Sequence, residues 1–516
     1  MPDFRTSLLA HVSPETTVTV PGTGHSTGGR LVRGATLMFA SEIAVRALTL
    51  VSMLVVARVL GPTALGQLAI AQAVVAYASV LGDAGLTTLT QRSMVREPIR
   101  AERLVATTTS IQLTLSALLV VAVLGASAVL PVDQTARHLV TVLSPLVVVQ
   151  ALNLFYVLQA REQFGALAVV RTLGQIAAAS LSVVLVIFTR SNTWVAVAMW
   201  TGALLADMLC FGALRAGSFR LRLPSWDVGK HLLRRGWPYL AISLLSWVLL
   251  NFDVLVIGAT RSSHEVGEYT AAYRIVLIVI GLVGLVGAVV FPELVRRFRD
   301  DLPAFSRFLT ALVRQSTRVG YAMAALVLVA APQIVLTLYG AEFRQSGFIL
   351  AVLFLCVPLS YCNSLLGHGL LAAGRERGYL VNIVVTAAVS IVALLLLVPR
   401  FGAVSAAWVV LVGELVTLTL FTLLFARSLH VVPSRELVVQ LPWLIVPLLS
   451  LWAFTAVWNR APLYVIVPVW LVSVFIVELF GGRRLYRESI WLGRETGRLR
   501  NSAQRMSDND GPSARG

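Results

Sequence analysis

The sequence predicts an all-α, polytopic membrane protein, and three observations indicate this fold class: the composition, the length of the apolar runs and the placement of the basic residues. Of the 516 residues, 57% are hydrophobic and 13% are charged, whereas about 25% of the residues of an average soluble domain are charged. Apolar runs of about 20 residues recur along the chain, and each can cross a hydrocarbon core of roughly 30 Å as a helix. The basic residues cluster in every second connection between these runs.

Fourteen membrane-spanning helices are predicted from the apolar runs and the breaks between them. The breaks contain glycine, proline and charged residues, which end helices or require water. Because fourteen is even, both termini are predicted on the same side of the membrane. The predicted spans are 35–57, 63–89, 104–130, 139–160, 166–189, 193–214, 237–258, 267–291, 309–330, 345–371, 379–398, 402–425, 437–457 and 461–480.

The basic residues predict which side of the membrane each connection faces. With the N-terminus in the cytoplasm, thirty of the 42 lysines and arginines lie in inner connections and tails, and seven lie in the outer loops. This is the bias of the positive-inside rule. The formal net charge of +17 therefore reports topology. We expect no nucleic-acid partner, because the basic residues lie in short alternating loops and form no binding domain.

The chain is predicted to contain two six-helix lobes, two additional helices and two tails. The opening segment is polar and rich in turn residues, and the closing segment is rich in arginine, so both are predicted to be solvated. The predicted units are a disordered cytoplasmic tail at 1–34, an N-lobe at 35–214, a cytoplasmic inter-lobe linker at 215–236, a C-lobe at 237–425, helices 13 and 14 at 437–480 and a basic cytoplasmic tail at 481–516.

The two lobes are predicted to be related by a parallel repeat. The stretch VVARVLGPTALGQL, at 55–68, predicts a helix that ends at a Gly61-Pro62 turn and a second helix in which Gly66 permits close helix contact. The same pattern recurs 201 residues later, where Gly267 is the counterpart of Gly66. Such repeats are typical of secondary transporters.

No motif in the sequence indicates a metal ion, a nucleotide or a covalent reaction. The three cysteines lie in or beside apolar spans without metal-ligand spacing, and the sequence contains no phosphate-binding loop and no nucleophile elbow. The connections on the predicted outer side are all short, whereas a membrane enzyme that acts on a lipid-linked sugar typically needs a sizeable catalytic loop. We therefore expect no cofactor, no metal and no enzymatic activity.

Five arginines lie inside the predicted spans. Each costs about 2.5–3.5 kcal/mol at the centre of a membrane helix, so their presence favours a nearby water-filled cavity or an anionic ligand. Guanidinium groups bind a diphosphate well, because their paired donors stay protonated. The predicted substrate-binding cavity is cationic and contains Arg46, Arg171, Arg274, Arg314 and Arg318.

Simpler roles are open for four of these arginines. Arg46 follows Glu42 at the i,i+4 spacing of an ion pair within one helix. Arg274 has no acid within four residues and is the stronger cavity candidate. The other three lie near the predicted cytoplasmic ends of their spans, where their side chains can extend to lipid headgroups: Arg171, Arg314 and Arg318.

Carboxylates inside the spans are candidates for ion coupling or for contacts between the lobes. Burial favours the protonated form of a carboxylate, so such a group can bind a proton during a transport cycle. Asp207 and Glu414 occupy matching places in the two lobes, each after an outer-loop arginine and a tryptophan. Asp253 and Glu42 complete the set. Pairing with an arginine or with a backbone donor is the alternative.

Several stretches resemble the polysaccharide flippases of the multidrug/oligosaccharidyl-lipid/polysaccharide exporter superfamily. ARVLGPTALGQLAI (57–70) with LGDAGL (81–86) looks like the N-terminal signature of that family. Helix 1 is also similar to that of the lipid II flippases, in which arginines line the cavity, and Arg46 lies at a comparable distance before the turn. The stretches similar to the second half of the family are NFDVLVIG (251–258), EVGEYTAAYR (265–274), VVFPEL (289–294), LLAAGRERGYL (370–380) and LLVPRFGAVSAAW (396–408).

This resemblance implies a V-shaped pair of lobes that moves a polyprenyl-diphosphate-linked oligosaccharide from the cytoplasmic to the outer leaflet by alternating access, for cell-surface polysaccharide biosynthesis. It further implies a bacterial plasma membrane location with both termini cytoplasmic, contact with membrane lipids, and a polysaccharide polymerase and glycosyltransferases as partners. The alternatives are a cation-coupled multidrug exporter of the same fold and a non-transporting scaffold of cell-wall assembly.

Overall fold

The computed structural model is helical throughout its described part, which comprises residues 27–127, 129, 131–216, 223–429, 433–457, 463–475 and 477. No β-strand occurs in these ranges. Two short 3-10 helices lie at Pro98–Arg100 and Ala341–Phe343. The α-helices are α1 (Thr27–Asp83), α2 (Leu86–Arg96), α3 (Ala101–Ser127), α4 (Gln134–Leu143), α5 (Pro145–Ala151), α6 (Phe155–Ala160), α7 (Phe164–Thr189), α8 (Asn192–Ala216), α9 (Trp226–Thr260), α10 (Ser263–Asp300), α11 (Leu302–Leu338), α12 (Ser346–Phe354), α13 (Cys356–Ala372), α14 (Glu376–Phe401), α15 (Ala403–Leu429), α16 (Arg435–Val439), α17 (Pro442–Val457) and α18 (Leu463–Phe475).

The described helices confirm the predicted all-α membrane fold. Eleven stretches of the described residues are long and apolar enough to cross a membrane. Ala40–Arg96 is one of them and covers two predicted spans, and each of the other ten matches one predicted span. The two remaining predicted spans, 267–291 and 461–480, correspond to α10 and to the shorter apolar helix α18. Helices are the expected form here, because a spanning segment must satisfy its backbone polar groups internally.

Two boundaries differ from the sequence prediction. Helix α1 begins at Thr27, so residues 27–34 of the predicted N-terminal tail are helical, and residues 1–26 lie outside the described part. Helix α9 begins at Trp226, so the second half of the predicted inter-lobe linker is also helical. The predicted C-terminal tail at 481–516 lies outside the described residues. Both added segments extend apolar helices past the membrane core, where composition alone gives a weak signal.

The predicted turn at Gly61 is present. Gly61 has φ 76° and ψ 179° inside α1, a left-handed backbone conformation that glycine adopts without strain, and Pro62 follows it. Thr49 and Gln72, on opposite sides of Gly61, line the same small cavity. In a continuous helix they would stand about 34 Å apart at 1.5 Å per residue. The chain therefore reverses direction at Gly61, and we call this side of the molecule the outer side, following the sequence-based topology.

A large buried cluster joins the two lobes. It contains Met53, Ala57 and Leu65 of α1 and Val266 and Tyr269 of α10. Residues of α9 and of α11 to α15 complete the cluster. Smaller clusters fill the interior of each lobe. Because α1 and α10 contribute to this shared cluster, they form the central contact between the lobes.

The outer ends of the two lobes are in close contact. A Cβ at Gly66 would lie 2.7 Å from the Gly267 amide nitrogen, and one at Gly267 would lie 3.0 Å from Pro62 Cα, so only glycine fits at either position. Thr63 Oγ1 and His264 Nδ1 lie 3.4 Å apart, and Asp133 Oδ2 accepts a hydrogen bond from Ser263. The repeat predicted from the 201-residue spacing thus places its two matching glycines against each other.

The opposite ends of the lobes are linked by the first turns of α9. Its buried positions Gly229, Leu232 and Gly236 recur at helical spacing. A Cβ at Gly236 would lie 2.9 Å from the Ala84 carbonyl oxygen, and Arg92 Nη1 donates to Tyr239 Oη over 3.0 Å. Helix α9 therefore begins against α2 and α3 of the N-lobe before it enters the C-lobe.

The helices after the second lobe pack against α11. Trp470 Nε1 of α18 donates to the Ala322 carbonyl oxygen over 2.8 Å. Leu451 and Ile466 share a buried cluster with Ala330. Helices α16 to α18 are therefore an addition to the outside of the C-lobe, as the two predicted C-terminal helices were expected to be.

Candidate functional site

A cluster of charged side chains joins α1 to α7 in the N-lobe. Arg46 Nε lies 3.1 Å from Glu42 Oε1, and Arg171 Nη2 lies 3.0 Å from Glu42 Oε2. The three side chains are 22–34% exposed. Ser41 Oγ strengthens the same contact by donating to the Ala168 carbonyl oxygen over 3.2 Å. Glu42 therefore neutralises one of its two arginines and leaves one positive charge.

Arg46 also reaches across to the other lobe. Its guanidinium occupies the space beside Gly281 of α10, where a Cβ would lie 2.9 Å from Arg46 Cζ. Any larger residue at Gly281 would displace the guanidinium. Arg46 thus bridges the N-lobe cluster to the C-lobe.

Arg274 lies on the same face of α10 as Gly281, two turns and about 10 Å closer to the outer side. Its Nη2 donates to Gln72 Oε1 of α1, so it also connects the two lobes. It borders a cavity of about 90 Å³ with Thr49, Ser52 and Gln72 of α1. No carboxylate pairs with Arg274 among the described residues. Its charge is therefore not neutralised by a neighbouring acid.

The contact between α1 and α10 is positively charged. We call the region of Glu42, Arg46, Gln72, Arg171, Arg274 and Gly281 the lobe junction. Three arginines against one glutamate leave two formal positive charges there. Forked N–H donors in a partly dry site bind phosphate oxygens strongly. The lobe junction can therefore hold an anion such as a diphosphate between two lobes that share its ligands.

The structure does not bring the other two predicted arginines to the lobe junction. Arg314 Nε lies 2.9 Å from Glu436 Oε2, and Arg318 Nε donates to Gln440 Oε1 over 2.7 Å. Arg318 also lies over the Trp443 ring, 5.6 Å from its centroid. Both arginines of α11 therefore hold α16 and the start of α17 in place, a role that the sequence prediction did not consider.

Two of the predicted acids border a cavity inside the C-lobe. Asp253 of α9 and Glu414 of α15 line a space of about 400 Å³ together with neutral polar side chains of α13 and α14. Asp253 accepts hydrogen bonds from Tyr269 Oη and from the Val254 amide. Glu414 accepts from Ser360 Oγ and Asn363 Nδ2. Two carboxylates and several neutral side-chain oxygens line this cavity, so it suits a cation.

Asp207 lies apart from both of these regions. It is 5% exposed on α8, inside the N-lobe, and it lines neither the lobe junction nor the C-lobe cavity. The sequence prediction matched it with Glu414 because each acid follows an outer-loop arginine and a tryptophan, but the two acids have different surroundings.

Sequence reasoning missed Gln72, the hydrogen-bond partner of Arg274. The signal was present, because Gln72 and Arg274 are 202 residues apart, one more than the repeat spacing of Gly66 and Gly267. Residues related by the repeat meet where the two lobes touch along α1 and α10. Ser360 and Asn363 were also missed, since small polar residues in a membrane helix most often serve helix packing.

Comparisons with known proteins agree with this architecture. The chain is similar over 88% of its length to the whole of a lipid II flippase MurJ in an inward closed conformation, with a TM-score of 0.73 and 12% identity. It is similar over 78% to a multidrug resistance MATE family transporter of the MOP superfamily in an inward-facing conformation, with a TM-score of 0.61, 15% identity and 98% of that chain covered. A MATE in a bent conformation matches with a TM-score of 0.52 and 14% identity. The match covers 79% of this chain and 97% of the MATE chain.

These structural likenesses, all at low identity, show the fold that the chain shares with flippases and exporters. No curated protein sequence matches the chain. The profile of a family described as "Polysaccharide biosynthesis protein" matches residues 31–298, which is more than half of the chain and includes the whole N-lobe and the lobe junction. The chain therefore belongs to the polysaccharide biosynthesis protein family, as a polytopic membrane protein with the fold of the MOP superfamily.

Proposed function

We propose that this protein is a flippase that moves a polyprenyl-diphosphate-linked oligosaccharide across the membrane. The observation that supports this most is Arg274, a charged side chain at the contact of the two lobes whose only described partner is the neutral Gln72. A diphosphate can replace that partner and bind Arg46 and Arg274 together. Lobe movement would then carry the head group across, while the lipid tail stays in the bilayer. No covalent bond changes.

The arrangement of the lobes supports alternating access. The outer ends meet without a gap at Gly66 and Gly267, so this conformation is closed on the outer side. Export requires this outer contact to open while the contacts of α9 with α2 and α3 at the other end persist or slide. The lobe junction lies between these two gates and can face either side in turn.

We further propose that a cation bound in the C-lobe cavity couples an ion gradient to the lobe movement. Asp253 and Glu414 supply negative charge from two different helices, and Ser360, Asn363 and Thr417 add neutral oxygens nearby. A cation that bridges α9 and α15 would alter the shape of the C-lobe when it leaves. Charged groups inside membrane helices commonly mark ion pathways.

The protein is proposed to act in a bacterial plasma membrane with both termini in the cytoplasm. The excess of basic residues in alternate connections supports this orientation. A polysaccharide polymerase and glycosyltransferases are the proposed partners, since they would use and supply a lipid-linked oligosaccharide.

A transport assay in proteoliposomes tests the flippase. The cargo is a fluorescent polyprenyl-diphosphate oligosaccharide, and the signal is its protection from a membrane-impermeant reagent. Arg274→Ala and Arg46→Ala should each lower the rate at least tenfold, because each removes a charged ligand that the head group needs during the crossing. Arg400→Ala, at an exposed arginine on the outer side, is the matched control and should keep the wild-type rate. Wild-type transport rates in both lobe-junction variants would refute the assignment of Arg46 and Arg274 to the cargo site. A non-transporting scaffold would tolerate both substitutions.

A cation-coupled drug exporter is the second candidate, and the acidic cavity of the C-lobe favours it. Asp253 and Glu414 border a space large enough for a small organic cation. The flippase requires the positive charge of Arg274, whereas the exporter requires the negative charges of Asp253 and Glu414. If the protein exports cations, Asp253→Asn and Glu414→Gln should abolish efflux of a fluorescent cationic dye from proteoliposomes, while Arg274→Ala should leave that efflux unchanged.

A further inference from the structure

Asp207 is a buried acid that neither proposed site uses. It lies on α8 with its side chain 5% exposed, on the inward face that also carries Ala206, Cys210 and Leu214. About 13 Å of helix separate it from the inner end of α8. A carboxylate placed this deep in a membrane helix must be paired, hydrated or protonated.

The other acids deep in the described spans are all compensated. Glu42 contacts two arginines. Asp83 accepts hydrogen bonds from the Thr87 amide, from the Thr87 hydroxyl and from Gln112 Nε2. Asp253 and Glu414 each accept from two donors as well. Each of the four therefore has hydrogen-bond or ion-pair partners of a kind that Asp207 lacks.

Asp207 accepts no hydrogen bond and forms no ion pair with any described residue. Its neighbours form an apolar cluster that includes Ala206, Cys210, Leu167 and Val170. The contact between α7 and α8 is also tight beside it, because a Cβ at Gly174 would lie 3.2 Å from Ala206 Cα. Asp207 is thus 5% exposed beside an apolar cluster that offers it no donor.

No charged group of the adjoining helices compensates Asp207. On α7 the one basic residue is Arg171, whose guanidinium is bound to Glu42 of α1. Helix α1 also packs against α8, and its Arg46 is paired with the same glutamate. Helix α6 contributes Tyr156, whose buried hydroxyl has no hydrogen-bond partner among the described residues. Helix α5 has no titratable side chain, and α4 carries Arg137 and His138 only at its outer end. On α8 itself the neighbour is the buried Cys210.

From this geometry we propose that Asp207 is a proton-binding site inside the N-lobe, occupied by a proton while the outer side is closed. The neutral acid fits the apolar cluster, whereas an ionised one would leave a buried charge without a partner. Loss of the proton requires α7 and α8 to separate or water to enter. Proton binding at Asp207 therefore favours the packed N-lobe seen here. This inference does not depend on which cargo the protein carries.

Infrared spectroscopy of the full chain in lipid nanodiscs tests the site directly. A protonated carboxylic acid has a C=O stretching band that a carboxylate lacks. At neutral pH the wild type should show this band, Asp207→Asn should lose it, and Asp83→Asn should keep it. Asp83 is the control because it is a half-buried acid of the same lobe with three hydrogen-bond donors. The absence of the band in the wild type, or a band of equal intensity in the wild type and in Asp207→Asn, would overturn the proposal.

Thermal unfolding at several pH values is a second test of whether Asp207 is protonated in the folded protein. Asp207→Asn should match the wild type at acidic pH, where both side chains are neutral, and should unfold at a higher temperature than the wild type at alkaline pH. Equal unfolding temperatures at all pH values would contradict the proposal. If Asp207→Asn cannot be purified, Asp207→Glu keeps a titratable group in the cluster and should shift the infrared band. An unshifted band in Asp207→Glu would assign the band to another acid and exclude the site.

Discussion

Arginine side chains of similar depth have different roles in this protein, and their partners decide which. Arg314 faces a glutamate of α16, Arg46 and Arg171 share one glutamate, and Arg274 faces a glutamine. A guanidinium with a dedicated carboxylate is a structural link, because releasing it would leave both charges unpaired in a partly dry site. A guanidinium that faces a neutral amide can exchange it for an anionic ligand.

Glu42 is predicted to stabilise the N-lobe through both of its arginines. Glu42→Gln leaves Arg46 and Arg171 without a carboxylate, and we expect a loss of about 1–3 kcal/mol in the free energy of unfolding because both sites are only partly exposed. Denaturation of the purified protein in detergent micelles measures this. Glu376→Gln, at an exposed acid of α14, is the control and should change stability by less than about 0.5 kcal/mol. Equal effects of the two substitutions would show that Glu42 does not hold the cluster.

At the scale of helices, the connection between α11 and α16 is predicted to depend on one ion pair. Glu436→Gln should destabilise the protein by about 1–3 kcal/mol, because Arg314 and Glu436 are only 23% and 13% exposed and form two hydrogen bonds. Glu97→Gln breaks the pair with Arg100, whose side chains are 76% and 57% exposed, and should cost at most about 0.5 kcal/mol. The comparison uses thermal unfolding of both variants. A smaller effect of Glu436→Gln than of Glu97→Gln would mean that other contacts hold α16.

Helices α1 and α10 are predicted to tolerate no side chain at their outer crossing. Gly66→Ala and Gly267→Ala would each place a Cβ against backbone atoms of the other helix. We expect about 1–3 kcal/mol of destabilisation from overpacking. Gly212→Ala in α8 is the matched control, because no atom lies within 4 Å of the added Cβ, and it should stabilise the helix by about 0.5–1 kcal/mol. Melting curves that show the same sign for all three variants would contradict the close crossing.

The helices themselves could be predicted from the sequence, whereas some of their ends could not. Each predicted span contains at least one helix in the described part of the chain, since the length and apolarity of a span are local properties that the bilayer dictates. The start of α9 at Trp226 was missed because its buried positions Gly229, Leu232 and Gly236 face the N-lobe and are not an apolar run. Packing between distant segments, and not hydropathy, selects that helix start.

At the scale of the whole molecule, transport is predicted to require the outer ends of the lobes to separate. Thr63→Cys with His264→Cys places two thiols on residues whose wild-type side chains approach to 3.4 Å, from Thr63 Oγ1 to His264 Nδ1. A short bifunctional thiol reagent should join them and stop transport in proteoliposomes, because the lobes could no longer open. Each single cysteine variant treated in the same way is the control and should keep its transport rate. The native cysteines in the described chain are buried and should react slowly. Transport at an unchanged rate by the joined protein would mean that the outer ends stay in contact during the cycle.

The sequence by itself determined the fold class, the number of predicted spans, the turn at Gly61 and the repeat that relates Gly66 to Gly267. These features depend on the length, composition and spacing of short segments, which the hydrocarbon core and the backbone constrain directly. Only the tertiary structure decided which buried charges are compensated. Arg274 meets Gln72 from 202 residues away, Arg314 meets Glu436 from 122 residues away, and Asp207 meets no donor in the described chain. The reason is that side-chain partners across helices depend on how the lobes pack, and no local pattern contains that information.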